Sequence, residues 1–223
     1  MSIGFQKVEP ISKKVRVVAL VKEAILSGAI HAGEQIVETK LAQEFGVGQG
    51  LIREALIELE HQGFVERIPF SGTQVVQFNQ GDVEHIFDVR LELEPLAFTL
   101  ATQQANPAQL AELGTLAEAM KQSAEAGDHR LFFEQNLVYR CQVWKLAGNK
   151  YLAQTLEHLV IPLFALYIMR EPLNPISHQR MRDGATEQAA VIQAMQAGDA
   201  AEAGRLTRVF LAETKSKLHL LLK

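Results

Sequence analysis

A chain of 223 residues with 48% hydrophobic and 22% charged residues builds one large or two small packed domains, which excludes a disordered or fibrous class. A formal net charge of -4 and a pI of about 6.0 exclude a whole-chain basic field, so nucleic-acid binding must rest on a local patch. The single cysteine, Cys141, excludes an internal disulfide. With no secretory signal and no apolar run able to span a bilayer (Leu159 to Met169 is short and holds Pro162), a soluble, cytoplasmic chain with no membrane partner is expected.

Residues 1–77 alternate short elements with glycine-bearing turns. Val15, Val18, Leu20, Val21, Ile25 and Leu26 recur at helical spacing, and Gly28 ends the run. A loop containing Gly33 leads to a second helix, Glu38 to Phe45, which carries Leu41, Ala42 and Phe45 on one side and stops at Gly46. After a turn over Val47 to Gly50, a third helix from about Gln49 to His61 buries Ile52, Ala55, Leu56 and Leu59, and Gly63 caps it. The period then changes. Phe64 to Arg67 and Gln74 to Val76 are β-leaning runs separated by Pro69, Ser71 and Gly72, a tight-turn composition. Helix, helix, turn, helix, hairpin is the plan of a winged helix-turn-helix. Its third helix enters the DNA major groove, and its hairpin tip reaches the backbone or the minor groove.

Gln77 to Gln80 is the join, and 78–223 reads as helices only. Asn106-Pro107 is a cap followed by a first-turn proline, while Gly127-Asp128, Gly148-Asn149 and Gly198-Asp199 each end one helix and cap the next. About six helices are expected, starting near residues 80, 107, 128, 149, 178 and 199. The expected fold is mainly α: an N-terminal winged helix-turn-helix over 1–77, then a C-terminal all-α antiparallel bundle over 78–223. No phosphate-binding glycine loop, nucleophile elbow or paired-carboxylate constellation is present, so no enzyme is expected. The alternative reading is a helical-bundle ligand-binding protein or enzyme that has lost DNA binding.

These residues carry a resemblance. Gly33-Glu34-Gln35-Ile36-Val37-Glu38, Leu41-Ala42, Gly46-Val47, Ile52-Arg53-Glu54-Ala55-Leu56, Leu59-Glu60, Gly63-Phe64-Val65 and Gly72 together resemble the GntR family of bacterial transcription regulators. Arg90, Leu93-Glu94-Pro95-Leu96-Ala97, Ala147-Gly148-Asn149 with Leu152, and Ile192 to Asp199 resemble that family's FadR-type ligand-binding domain, often called FCD. The resemblance implies a homodimer on palindromic double-stranded operator DNA, controlled by a small metabolite. Where the family usually presents Ser-Arg-Thr-Pro, this chain has Gly48-Gln49-Gly50-Leu51. The hydroxyls that would bond phosphate are gone, and glutamine, which reads adenine, replaces an arginine suited to guanine.

The DNA-binding residues the resemblance implies are Gln49, Gly50 and Arg53 on the third helix, Thr39 and Lys40 on the second, and Ser71, Gly72 and Thr73 at the wing tip. For Arg53 the alternative is a surface pair with Glu54 or Glu58; for the others it is a solvated helix face or an ordinary turn. Residues 1–77 hold eight cations and nine anions. Counterion release therefore contributes little, and weak nonspecific DNA binding is expected.

Many FCD domains hold a divalent metal through an aspartate and three histidines. Those slots fall here on Asn136, Arg140, Gln188 and Phe210, so the resemblance implies a lost metal site and no cofactor. The seven histidines include no i,i+4 pair. What is left is an effector pocket in which Arg90 and Arg140 hold a carboxylate or phosphate directly, replacing the metal's charge: Asn136 and Gln188 orient the ligand, and Phe210 packs on it or shrinks the cavity. The alternative is a filled core, with Arg90 paired to Glu94 and Arg140 paired to another helix. Tyr139, Trp144 and Cys141 are read as core.

Overall fold

The computed structural model describes residues 12–169 and 175–216, and the side chains of 12–164 and 178–216. The chain divides into two compact units, Met1–Val76 and Gln77–Lys223.

In the first unit, helix α1 (Lys13–Leu26) buries Val17, Val21 and Ile25, a stripe at helical spacing, and packs on α3. Helix α2 (Glu38–Phe45) ends at Gly46, whose φ of 61° is the left-handed conformation that glycine adopts without a steric penalty. Helix α3 (Gln49–His61) buries Ile52, Ala55, Leu56 and Leu59, as its periodicity predicts. The wing pairs β2 (Val65–Ile68) with β3 (Gly72–Val75), offset by one or two residues from the predicted runs.

A third strand, β1 (Gln35–Ile36), corrects the loop expected around Gly33. The sheet order is β1-β3-β2, with both pairs antiparallel. Two residues are too few to show an alternating pattern. The strand is set by pairing instead: Gly33 N donates to Val75 O at 3.0 Å, and Val75 N donates to Glu34 O at 2.9 Å.

The turn between β2 and β3 is closed by Ser71 N donating to Ile68 O at 3.0 Å, with Pro69 second and Phe70 third. Phe70 has a φ of 66°. Proline second and a positive φ third follow the type II pattern, in which the third place normally goes to glycine or asparagine. A phenylalanine there costs on the order of 1 kcal/mol.

The second unit contains α4 (Gln80–Gln104), α5 (Pro107–Ala126), α6 (His129–Leu146), α7 (Lys150–Met169), α8 (Pro175–Gln196) and α9 (Ala200–Ser216). Their starts lie within three residues of the expected ones. The largest difference is α8, which begins at Pro175 and not near 178, because proline suits a helix's first turn. Reciprocal capping boxes, Asn79 with Asp82 and Asn106 with Gln109, open α4 and α5. Helix α4 lies along α9, and α5 lies against α6 and α8. At the α4–α9 contact a side chain on the buried Gly204 would meet Thr99 and come within 3.2 Å of the Pro95 carbonyl, so the close approach depends on that glycine. Among the described residues, no helix is long and apolar enough to cross a membrane.

The buried stripe of α4 runs through Val83, Phe87, Arg90, Glu94, Ala97, Phe98 and Ala101, and that of α6 through Phe132, Asn136, Tyr139, Arg140 and Val143. Both stripes keep strict helical spacing, so they carry two arginines, a glutamate and an asparagine into the core along with the apolar residues.

Candidate DNA interface and candidate effector cavity

On α3, the face opposite the buried stripe presents Gln49, Gly50, Arg53 and Glu54, all exposed. The helix begins at Gly48, which supplies no side-chain cap. Leu51 N donates to Gly48 O at 3.0 Å, which leaves the first two N–H groups, those of Gln49 and Gly50, to an outside acceptor such as a phosphate. Arg53 pairs with neither Glu54 nor Glu58. Its Nη2 lies 2.9 Å from Glu38 Oε2 on α2, while Glu58 pairs with Lys14 on α1 at 3.3 Å. The Arg53–Glu38 pair is solvent-exposed and so contributes little to stability. It does fix the guanidinium at the junction of α2 and α3.

Thr39 and Lys40 are exposed on the first turn of α2, and Lys40 lies 4.0 Å from Glu44. Ser71 and Gly72 are exposed at the wing tip. Thr73 corrects the expected set: it is buried, pairing in register with Ile36 and Arg67, so its side chain turns to the packed side of the sheet. The residue that occupies the tip in its place is Phe70, which is fully exposed.

In the helical unit, Arg90, Asn136, Arg140 and Gln188 come together. From α4, α6 and α8 they line one cavity of about 160 Å³, whose walls include Phe87, Phe132, Phe133 and Phe164. Phe210 lies beside it and lines a smaller void of about 20 Å³ together with Arg140 and Gln188, so it does not face the main cavity.

The arginines are not free. Glu94, fully buried, accepts from Arg90 Nε at 2.5 Å and from Arg140 Nη1, while Arg140 Nε donates to Asn136 Oδ1 at 2.9 Å. Burial pushes the Glu94 carboxyl up, but Arg140 and Arg90 outweigh it and hold the group below the ordinary carboxylate range. Burial lowers the Arg140 guanidinium's pKa, and Glu94 opposes that shift. The guanidinium carbon of Arg90 stands 4.4 Å from the Phe87 ring centroid, and those of both arginines stand about 6 Å from that of Phe164. The cluster of two arginines and one glutamate carries a single net positive charge against an aromatic wall.

Gln188 Oε1 is buried and has no hydrogen-bond partner among the described residues. His129, its ring tilted against that of Phe133 with centroids 4.7 Å apart, also lines the cavity. Its pKa is lowered by burial and then by the neighbouring His178, with Asp128 opposing. Tyr139 and Trp144 are wholly buried, in line with their reading as core, and neither Tyr139 Oη nor Trp144 Nε1 has a hydrogen-bond partner among the described residues.

The implied metal positions hold two amides, a guanidinium and a phenyl ring. The guanidinium repels a cation, the phenyl ring donates nothing, and the buried carboxylate beside them, Glu94, is committed to two arginines. These residues do not fit a divalent ion. Among the described residues, no three His, Cys, Asp or Glu side chains cluster as ligands; His219 lies outside them.

A recognition helix with a wing, followed by a separate helical unit with a charged cavity, is the architecture of a two-domain DNA-binding regulator. Residues 13–75 match the model of the bacterial regulatory proteins of the gntR family, and residues 85–213 match the FCD domain. The chain belongs to the GntR family of transcription regulators, in the branch that carries an FCD domain, and is not an enzyme.

It is 27% identical over 173 residues to the transcriptional regulator McbR of Escherichia coli, covering 77% of this chain and 78% of that one. It is 29% identical over 164 residues to the gluconate operon repressor of Bacillus licheniformis, covering 73% and 67%. The solved structure of E. coli McbR/YncC superposes with a TM-score of 0.79 at 22% identity, covering 96% of this chain and 100% of that one. A putative GntR regulator from Rhodococcus superposes with a TM-score of 0.74 at 15% identity, covering 93% and 97%. Both structural likenesses speak for the fold.

Proposed function

We propose that this regulator binds a palindromic operator as a homodimer in the cytoplasm, and that a small organic acid seated in the C-terminal cavity, without a metal ion, controls that binding. The carrying observation is the convergence of Arg90, Asn136, Arg140 and Gln188 on one cavity, with Gln188 Oε1 buried beside it and lacking a hydrogen-bond partner among the described residues. A buried polar atom without a partner costs roughly 1–3 kcal/mol, and a ligand donor removes that cost.

Size and charge narrow the ligand. A cavity of about 150 Å³ holds benzene, so this one suits an acid of similar bulk. The guanidiniums of Arg90 and Arg140 suit a carboxylate, the acidic Asp183, Glu187 and Glu213 on the same lining disfavour a second one, and the phenyl walls favour an acid with an apolar or aromatic body over a polyhydroxylated one. The named role of the Bacillus relative in a gluconate operon supports an acid of some kind.

A thermal-shift series of small monocarboxylic acids that also carry one hydroxyl to donate to Gln188 Oε1, the hydroxybenzoates first, tests this on the wild type and on Gln188→Leu. The acid raises the wild-type melting temperature through mass action. Gln188→Leu, which removes the orphaned oxygen, leaves the ligand-free melting temperature unchanged or higher and loses the ligand shift. An equal shift in both proteins removes Gln188 from the site, and a wild-type response that appears only with added zinc, nickel or manganese overturns the metal-free reading.

A further inference from the structure

Three observations meet at Phe70. Its side chain is 109% exposed, so folding gains nothing from the ring. Its φ of 66° is a conformation that disfavours any side chain, and glycine would serve the turn better. The tip is also held firmly: Pro69 restricts the backbone before it, and the Ser71 carbonyl accepts a hydrogen bond from Gln35 on β1. An exposed aromatic on a rigid, strained tip serves a partner and not the fold.

The partner follows from continuity and charge. The tip belongs to the same unit as the exposed face of α3, in a chain that is a DNA-binding regulator. That unit has more anions than cations, and its recognition helix opens with Gly48-Gln49-Gly50 and no cation. Electrostatic attraction to the phosphate backbone is therefore weak, and affinity has to come from contacts that do not depend on salt.

We propose that Phe70 is an apolar wedge that enters the minor groove beside the sequence read by α3 and partly unstacks one base step. Such wedges kink the duplex, and the deformation is cheapest at pyrimidine–purine steps. The wing thereby selects operator sequence by deformability, with no hydrogen bond to a base. This rests on the reading of α3 as the helix that contacts DNA.

The test uses the full chain and an operator duplex selected from random DNA, with 2-aminopurine placed at each step flanking the core site. Fluorescence anisotropy is measured over a salt series for the wild type, Phe70→Gly, Phe70→Leu and Arg53→Ala. Phe70→Gly relieves the strained backbone, so it folds with an equal or higher melting temperature. It is expected to lose about tenfold in affinity with an unchanged salt slope, and to lose a 2-aminopurine brightening that the wild type and Phe70→Leu show. Wild-type affinity and brightening in Phe70→Gly overturn the wedge, as does an affinity loss accompanied by a shallower salt slope, which marks a phosphate contact. If Arg53→Ala loses affinity while Phe70→Gly does not, only the wedge fails. If neither does, the reading of α3 fails with it.

Discussion

Glu94→Gln is expected to lower the stability of the helical unit by about 3–5 kcal/mol, the cost of breaking a buried ion pair from one side. Glutamine keeps the shape of the side chain but removes the charge that Arg90 and Arg140 share, leaving two buried guanidiniums facing each other. In urea, the transition of this unit moves to lower concentration, and its melting temperature falls by about 10 °C or more. A change under about 1 kcal/mol would mean that water or a rearranged partner already neutralises the arginines.

The pH dependence follows from the same cluster. The Glu94 carboxyl is held below its ordinary value of 4.5 in the folded state, so its contribution is fully present above that pH and is lost as pH falls through the depressed folded value. The wild type therefore loses stability in acid, below about pH 4.5, more steeply than Glu94→Gln.

Arg53→Ala is expected to reduce operator affinity by about 5- to 150-fold, the range for an arginine that grips a base or a phosphate. Its only described ion-pair partner is Glu38, in an exposed pair worth under about 1 kcal/mol, so DNA displaces that carboxylate at little cost. Folding stability stays within about 0.5 kcal/mol of the wild type, which separates this effect from unfolding. The salt slope assigns the role: a drop of about one marks a phosphate contact, and no change marks base reading. Unchanged affinity would remove Arg53 from the interface.

Elements with strong periodicity or paired caps were legible in the sequence. The stripe of α3 and the Asn106-Pro107 and Gly148-Asn149 junctions placed helices within a residue or so. Strand β1 was not legible, because a two-residue strand is defined by its partner in β3 and has no pattern of its own. Thr73 was read with the turn because it follows Gly72, although its place in the β3 register turns it inward. Phe70 was overlooked for a related reason: Pro69 and Gly72 gave the turn, while only the backbone angle shows which residue takes the left-handed position.

The cavity was partly legible. Arg90, Asn136, Arg140 and Gln188 were identified through the resemblance, and they meet. Glu94 entered as part of the resembling string and as an alternative partner of Arg90, yet it neutralises Arg140 as well. Its position on the stripe of Val83, Phe87, Ala97 and Ala101 was a readable sign that a charge lies in the core. The four phenylalanines of the wall come from three helices, and only the packing brings them together.

Operator affinity measured by fluorescence anisotropy, with and without a monocarboxylic acid that stabilises the protein and with a metal chelator present throughout, tests the coupling of the two units most directly. The expected result is a change of about 5- to 150-fold on adding the acid, undiminished by the chelator. An affinity that the acid leaves untouched, or a response that the chelator abolishes, would contradict control by a metal-free acid site.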